Sequence, residues 1–397
     1  MLERIVVMRT VGTTVHGLRA PIIREGDDLV SIFVDTVLNA SKTEGFPLRS
    51  GDIVAVTEAC VARAQGNYAT TEQIAADVRA KFPGGTVGIV HPILSRNRFF
   101  ILLQAIAKGA QKIVVLLKYP SDEVGNPLIS LDDLDQSGVN PYADTLTEQD
   151  FARHFGTPRH PFTDIDYISL YKSAGPDVEI VFSNNPKAIL SYTKDVLVAD
   201  IHTRERTRRL LHEAGASTLY GLSDLLAKSV DGSGCNPQYG LYGSNMADDN
   251  RVKLFPRDGQ AIVDTVAQRL YEQTGEKIEV LIFGDGAFKD PVAGIWELAD
   301  PVVAVAYTPK LNSLPYEMKI KYMADARFAD LRGEALTQAV TEFLNTSKQT
   351  AADGERQGTT PRRIYDLVGS LCDLTTGSGD KGTPFVHISG YFDHYGQ

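Results

Sequence analysis

Cysteine is scarce in this chain of 397 residues: Cys60, Cys235 and Cys372 are far apart and show no metal-ligand spacing. An odd, sparse count argues against a disulfide framework and fits a reducing cytoplasm. Positive charge is also short. Forty Lys and Arg stand against fifty Asp and Glu, for a formal net charge of -10, and nucleic-acid or membrane-surface proteins favour a basic footprint. No apolar run reaches the about 18 residues that a membrane span needs. The apolar stretch within Met1 to Arg9 is too short for a signal peptide. These absences lead to the expectation of a soluble, cytoplasmic protein with neither nucleic acid nor membrane as a partner. Several chemistry-bearing motifs are missing as well. There is no G-x-G-x-x-G, H-E-x-x-H, G-x-S-x-G or Walker-type P-loop to support a dehydrogenase, a zincin, an α/β-hydrolase or a P-loop enzyme.

What is present is an ordinary globular composition, 43% hydrophobic and 23% charged. The length allows two or three domains. Ile5 to Met8 reads as a first strand, and Leu29 to Leu38 carries helical apolar spacing behind the capping residues Asp27 and Asp28. Gly51-Asp52 opens a strand from Ile53 to Thr57. Glu58 and Arg63 come after it, and taken alone they read as a solvated loop with an incidental ion pair. Strands at 86–90, 112–117, 178–182 and 196–200 alternate with helices at 99–108, 187–192 and 203–214, which predicts a parallel sheet with crossover helices. Tyr119 to Asp164, rich in Pro, Asp, Ser and Gly, reads as a long irregular connection. A helix over 259–274, a strand over 302–307 and a helix from Ala335 to about Asn345 complete the pattern.

Four stretches could carry chemistry. The apolar strand Val280 to Phe283 stops at Gly284-Asp285-Gly286, which leaves a carboxylate at a strand's carboxyl end. It reads either as a plain turn or as a site for a hard cation beside a phosphate. Asn245, Asp248 and Asp249 offer oxygen donors of the type Mg²⁺ or Mn²⁺ prefers. Ser95 to Arg98 places two arginines at a helix start, either as an anion site or as a surface loop facing water. Thr376 to Gly382 is a glycine-rich turn with Asp380 and Lys381 before a strand, and such turns can cradle phosphates. His202 to Arg209 reads as the solvated first turns of a helix.

The order of these segments resembles the coenzyme F420-0:γ-glutamyl ligase family. Pro21 to Leu29 is similar to its P-x-[IV]-x-x-G-D-D-L start, and Gly51 to Gly66 to its G-D-[IV] strand and S-K-A-E-G end. Tyr242 to Asn250 is similar to its N-A-G-I-D-x-S-N loop, and Leu281 to Asp285 to its I-I-T-D-T strand end. Asp330 to Gly333 and Gly379 to Pro384 match its D-L-x-G and D-G-I-P turns. The resemblance implies a mixed α/β fold with a family-like core at 1–66 and 221–397, split by a Rossmann-like inserted α/β domain at 67–220.

It also implies GTP- or ATP-driven amide formation between a small-molecule acid and L-glutamate through an acyl phosphate. Mg²⁺ or Mn²⁺ would assist, with K⁺ as a further ion, and the enzyme would be a homodimer. Pro21, Ile22, Ile23 and Arg24 would contact the nucleotide together with Glu58, Arg63, Gly379, Asp380, Lys381 and Gly382. Asp285 and Arg63 would be catalytic, and Asn245, Asp248 and Asp285 would hold the metal. Four positions depart from the family pattern. Arg63 stands for its Lys, Asn245 for a metal-binding Asp, Gly286 for Thr, and Glu58 for Ser or Thr. Two alternatives accompany the F420-0 expectation: a folate-type γ-glutamyl ligase, and a catalytically silent nucleotide- or cofactor-binding homologue. A third reading is a general α/β nucleotide-binding protein that uses Ser95 to Arg98.

Overall fold

The computed structural model describes residues 10–287, 289–290, 294–296, 298–313, 318–346, 362–377 and 381–395. The expected strand at Ile5 to Met8 and the residues Gly379 and Asp380 lie outside the described residues. The fold is mixed α/β, as the sequence predicts, and is built on three sheets.

The sheet that carries Asp285 has five strands in the order Thr14–Leu18, Phe385–Ser389, Ile53–Thr57, Glu279–Phe283 and Ala304–Tyr307. Only the central pair is parallel, with Val54 opposite Val280 and Thr57 opposite Phe283. The helices Leu29–Glu44 and Gly259–Thr274 cover one face, burying Phe33, Val37 and Val263 against Val54, Val56 and Ile282. The helix Ile364–Thr376 covers the other, burying Val368 and Cys372 with Ile53, Ala55 and Leu281. Both faces are sealed, so the strands read as continuous apolar runs and not as alternations. Asp28 caps the first of these helices by accepting from the Ser31 N–H at 3.1 Å, and Gly45 ends it with φ of 73°.

A second sheet has six strands. Five are parallel, in the spatial order Val178–Phe182, Lys112–Leu117, Thr86–Val90, Asp195–Val198 and Thr218–Gly221, and the short antiparallel strand Leu146–Thr147 forms one edge. Helices lie on both faces, so this sheet too is apolar throughout. The third sheet joins the hairpin Asn245–Asp248 and Arg251–Lys253 to Tyr68–Thr70. Its Ala69 and Val252 belong to the same buried cluster as the six-stranded sheet, so it bridges the two larger parts.

Three local expectations change. The stretch from Tyr119 to Asp164 is not irregular throughout, because Leu131–Ser137 and Glu148–Phe155 are short helices capped by Ser130 and Thr147. Short polar caps inside a Pro- and Asp-rich composition look like loop sequence. The Asn245 to Asp249 loop is largely a hairpin strand, stabilised by its partner strands and not by its own propensity. Glu58 to Ala64 forms a helix, and Glu58 is buried, so the solvated-loop reading fails there. The helices Thr71–Lys81 and Ile364–Thr376 go beyond the sequence expectations. Among the described residues, no helix is long and apolar enough to cross a membrane.

Phe385 is fully buried and stacks on Phe33 with ring centroids 4.6 Å apart. Replacing it with Ala removes that contact and leaves a cavity, at an expected cost of about 3–5 kcal/mol. Urea denaturation followed by circular dichroism checks this as a lowered midpoint.

Candidate functional site

The strand Glu279–Phe283 ends at the centre of its sheet, and three backbone groups fix the turn after it. The Gly284 N–H donates to the Val303 carbonyl at 2.8 Å, the Asp285 N–H to Asp300 Oδ2 at 2.9 Å, and the Gly286 N–H to Asp373 Oδ2 at 2.9 Å. The two glycines are there for close approach. A Cβ on Gly284 would lie 2.6 Å from Asp300 Oδ2, and one on Gly286 would lie 2.8 Å from the Ser370 Cα. Any side chain at either position would push away the elements that hold the turn.

Arg98 meets this strand end from the six-stranded part. Its Nη2 donates to Asp285 Oδ2 at 2.8 Å and its Nη1 to Asp300 Oδ1 at 2.7 Å. The arginine sits in a π-helical turn, Arg96–Phe100, whose Ser95 cap accepts from the Arg98 N–H at 3.1 Å. The loop before it is anchored by Asp122, which accepts from the Leu94 N–H at 2.7 Å, and by the Tyr171 hydroxyl, which accepts from the Ser95 N–H at 2.9 Å. Sequence reasoning left Arg98 between an anion site and a water-facing loop. It is neither, being a mostly buried partner of two carboxylates, while Arg96 is exposed.

A second buried pair lies beside the first. Lys253 donates to Glu58 Oε1, and Glu58 Oε2 is buried without a partner. Four carboxyl groups, Glu58, Asp285, Asp300 and Asp373, therefore share two cations, Arg98 and Lys253. Three of the carboxyls, Asp285, Glu58 and Asp373, hold their protons more tightly than usual. Burial, and then the neighbouring Asp300, push Asp285 up to about 8. Burial also raises Glu58 and Asp373. Burial opposes the charge on Arg98, but Asp300 and Asp285 outweigh it and raise its affinity further.

Lys253 also lines a cavity of about 530 Å³, together with Arg63, Arg251, Tyr68, Asn97 and Asn245. Three cations and two amides surround this space, and among the described residues no acidic side chain lines it. Such a donor set suits phosphate or carboxylate groups. Arg251 is held over the Tyr68 ring at 5.4 Å and donates to Asp248 at 2.8 Å. Arg63 donates from Nε to the Ile23 carbonyl at 3.2 Å, which ties the cavity to the Pro21–Arg24 segment. At the other end of that segment Pro21 lines a groove of about 1050 Å³, with Arg19, Asn39, Phe46, Lys381 and Thr383. The Ala20 N–H donates to the Gly382 carbonyl at 3.1 Å, so two stretches distant in sequence form one wall.

The sequence-predicted residues thus fall into three places. Pro21, Ile22, Ile23, Arg24, Lys381 and Gly382 gather along the groove and its margin, with Ile23 buried and the others exposed. Arg63 and Asn245 line the cationic cavity, with Glu58 buried behind it. Asp285 belongs to the Arg98 cluster. The three predicted metal donors do not converge. Asp248 is exposed and paired with Arg251, while Asp285 is paired with Arg98. Among the described residues, no group of three or more His, Cys, Asp or Glu side chains is arranged to hold a metal ion. These residues do not fit an Mg²⁺ or Mn²⁺ ion at Asp285. Lys253, Asp300 and Asp373 escaped the sequence reading, whereas Arg98 was singled out as one of two arginines at a helix start but with the wrong partner.

No curated protein matches the chain. The family model described as F420-0:Gamma-glutamyl ligase matches residues 17–390, nearly its whole length. This membership points to glutamate ligation in coenzyme F420 biosynthesis. The match runs through both strand ends and the Arg63 and Arg98 segments alike, and the chain belongs to the F420-0:gamma-glutamyl ligase family.

Proposed function

We propose that this protein joins L-glutamate to the carboxylate of a small-molecule acid, F420-0 or a related compound, by way of an acyl phosphate formed from GTP or ATP. The observation that carries the nucleotide part of this reading is the cavity lined by Arg63, Arg251 and Lys253, whose lining includes no acidic side chain among the described residues. A carboxylate is a poor acyl donor, so it must be phosphorylated before an amine can attack it. Phosphoryl transfer depends chiefly on positioning and charge neutralisation. The cavity's two guanidiniums and its ammonium meet that demand. In this reading the nucleotide's base and ribose would lie in the groove beside Pro21 and Lys381, which the Arg63–Ile23 hydrogen bond links to the cavity.

Asp285 supplies the acid–base chemistry in this reading. The glutamate amine attacks only as a free base, and a carboxyl group whose proton affinity lies near neutrality is suited to take its proton. Burial and Asp300 place Asp285 in that range. From the family resemblance we further propose that two copies of the chain associate in solution, which light scattering on the purified protein checks.

Thermal melts with GTP and with ATP test the nucleotide part, because a ligand bound only by the native state raises the melting temperature. One nucleotide is expected to raise it. Arg63→Ala should weaken that nucleotide by at least about tenfold, in line with about 1.5–3 kcal/mol for a hydrogen bond to a charged group. Absence of any rise with either nucleotide would sink the proposal.

Asp285→Asn is expected to abolish glutamate incorporation, read by mass spectrometry of the acid, while the circular dichroism spectrum is kept. Its effect on stability has a defined sign. The folded value of about 8 lies above the ordinary carboxyl value of about 3.9, so the native state holds the extra proton between these limits. That contribution to stability is present at low pH and is lost as pH rises through about 8. Urea midpoints at pH 5 and pH 8 should therefore fall further apart in the wild type than in Asp285→Asn.

A further inference from the structure

We infer that Arg98 is the resident cation of the Asp285–Asp300 site, filling with a guanidinium the position where membership of this family implies a divalent metal. The geometry supports this in three ways. Arg98 donates one nitrogen to each of two carboxylates that come from different turns of the five-stranded part, at 2.8 and 2.7 Å. Its side chain is only 17% exposed and that of Asp300 only 1%, so the contact is made inside the protein and not at its surface. A guanidinium keeps its charge at any pH the protein meets, and its planar fork fits two carboxylates without a rearranged shell of water.

The second line is independent of that contact. Several oxygen donors around Asp285 already serve the protein's own hydrogen bonds, and others lie at different places. Asp300 Oδ2 accepts from the Asp285 N–H and Asp373 Oδ2 from the Gly286 N–H. Asp248 is exposed on the hairpin with Arg251. Asn245 faces the cationic cavity. The buried oxygen without a partner, Glu58 Oε2, belongs to a side chain whose other oxygen is held by Lys253. A divalent ion entering here would have to expel Arg98 and leave a guanidinium stranded among buried groups. The site as folded instead places a fixed positive charge beside Asp285. That charge is single and already shared by two carboxylates, so it holds the turn after the strand in place, and a carboxylate or phosphate in the cavity lined by Arg63, Arg251 and Lys253 meets those cations instead. Arg98 also makes the six-stranded part, through its π-helical turn, a contributor to the centre of the five-stranded sheet.

Mn²⁺ titration of the full chain without nucleotide, read by electron paramagnetic resonance, tests the inference. It reads the cation site alone, so its outcome is separate from that of the nucleotide melts. The wild type and Asp285→Asn should show the same Mn²⁺ uptake. Arg98→Met should gain one site at least tenfold tighter than any in the wild type, and Arg98→Met combined with Asp285→Asn should lose it. Wild-type Mn²⁺ binding that disappears in Asp285→Asn would overturn the assignment. So would an Arg98→Met protein with a native circular dichroism spectrum and no gain in Mn²⁺ affinity. Should Arg98→Met fail to fold, the comparison of wild type with Asp285→Asn decides the question alone.

Discussion

One guanidinium holds the centre of this molecule together. Arg98 leaves a π-helical turn that follows the interior strand Thr86–Val90 of the six-stranded sheet and bonds Asp285, just past the strand Glu279–Phe283 of the five-stranded sheet, and Asp300, just before the strand Ala304–Tyr307. Breaking a buried pair of this kind strands a charge, which typically costs about 3–5 kcal/mol. The relation between the two sheets is therefore fixed by a charged contact as well as by apolar packing. The elements around Arg98 serve the same geometry. Asp122 and Tyr171 fix the loop before it, and two glycines let Asp300 and the helix Ile364–Thr376 close in on Asp285.

The surrounding charge is graded from this centre outward. Near Asp285 the carboxyl groups outnumber the cations, and burial, with the neighbouring carboxylates adding to it, raises the proton affinities of Asp285, Glu58 and Asp373. Across the Glu58–Lys253 pair the balance reverses, and the cavity beyond is lined by Arg63, Arg251 and Lys253. Glu58 and Lys253 form the boundary between the two environments, and each comes from a different sheet or its connection.

The residues of the two zones were not equally legible. Asp285 stood out because an apolar strand breaking at Gly-Asp-Gly is a local pattern, and local patterns survive in one dimension. Arg63 and the Pro21–Arg24 segment were singled out only through the resemblance to the ligase family. Asp300, Asp373 and Lys253 carry no such mark, and Arg98 stood out only as one of two arginines at a helix start. Each lies in an unremarkable setting, and its role comes only from the partner that folding brings to it across the chain, as with the 202-residue separation of Arg98 and Asp300. The metal expectation shows the same limit. Oxygen donors near one another in sequence, Asn245 and Asp248, sit on a hairpin whose register turns Asp248 toward Arg251 and away from Asp285.

By itself the sequence determined the covered strands, the helices between them and the mixed α/β class. Continuous apolar runs such as Ile53 to Val56 can be satisfied only by burial on both faces. It also carried enough ordered motif to place the chain in its ligase family. Only the tertiary structure decided which charges meet. An ion pair depends on position and dielectric, and not on neighbouring residue types. Nothing along the chain states that Arg98 will end between Asp285 and Asp300, or that Glu58 will be buried against Lys253.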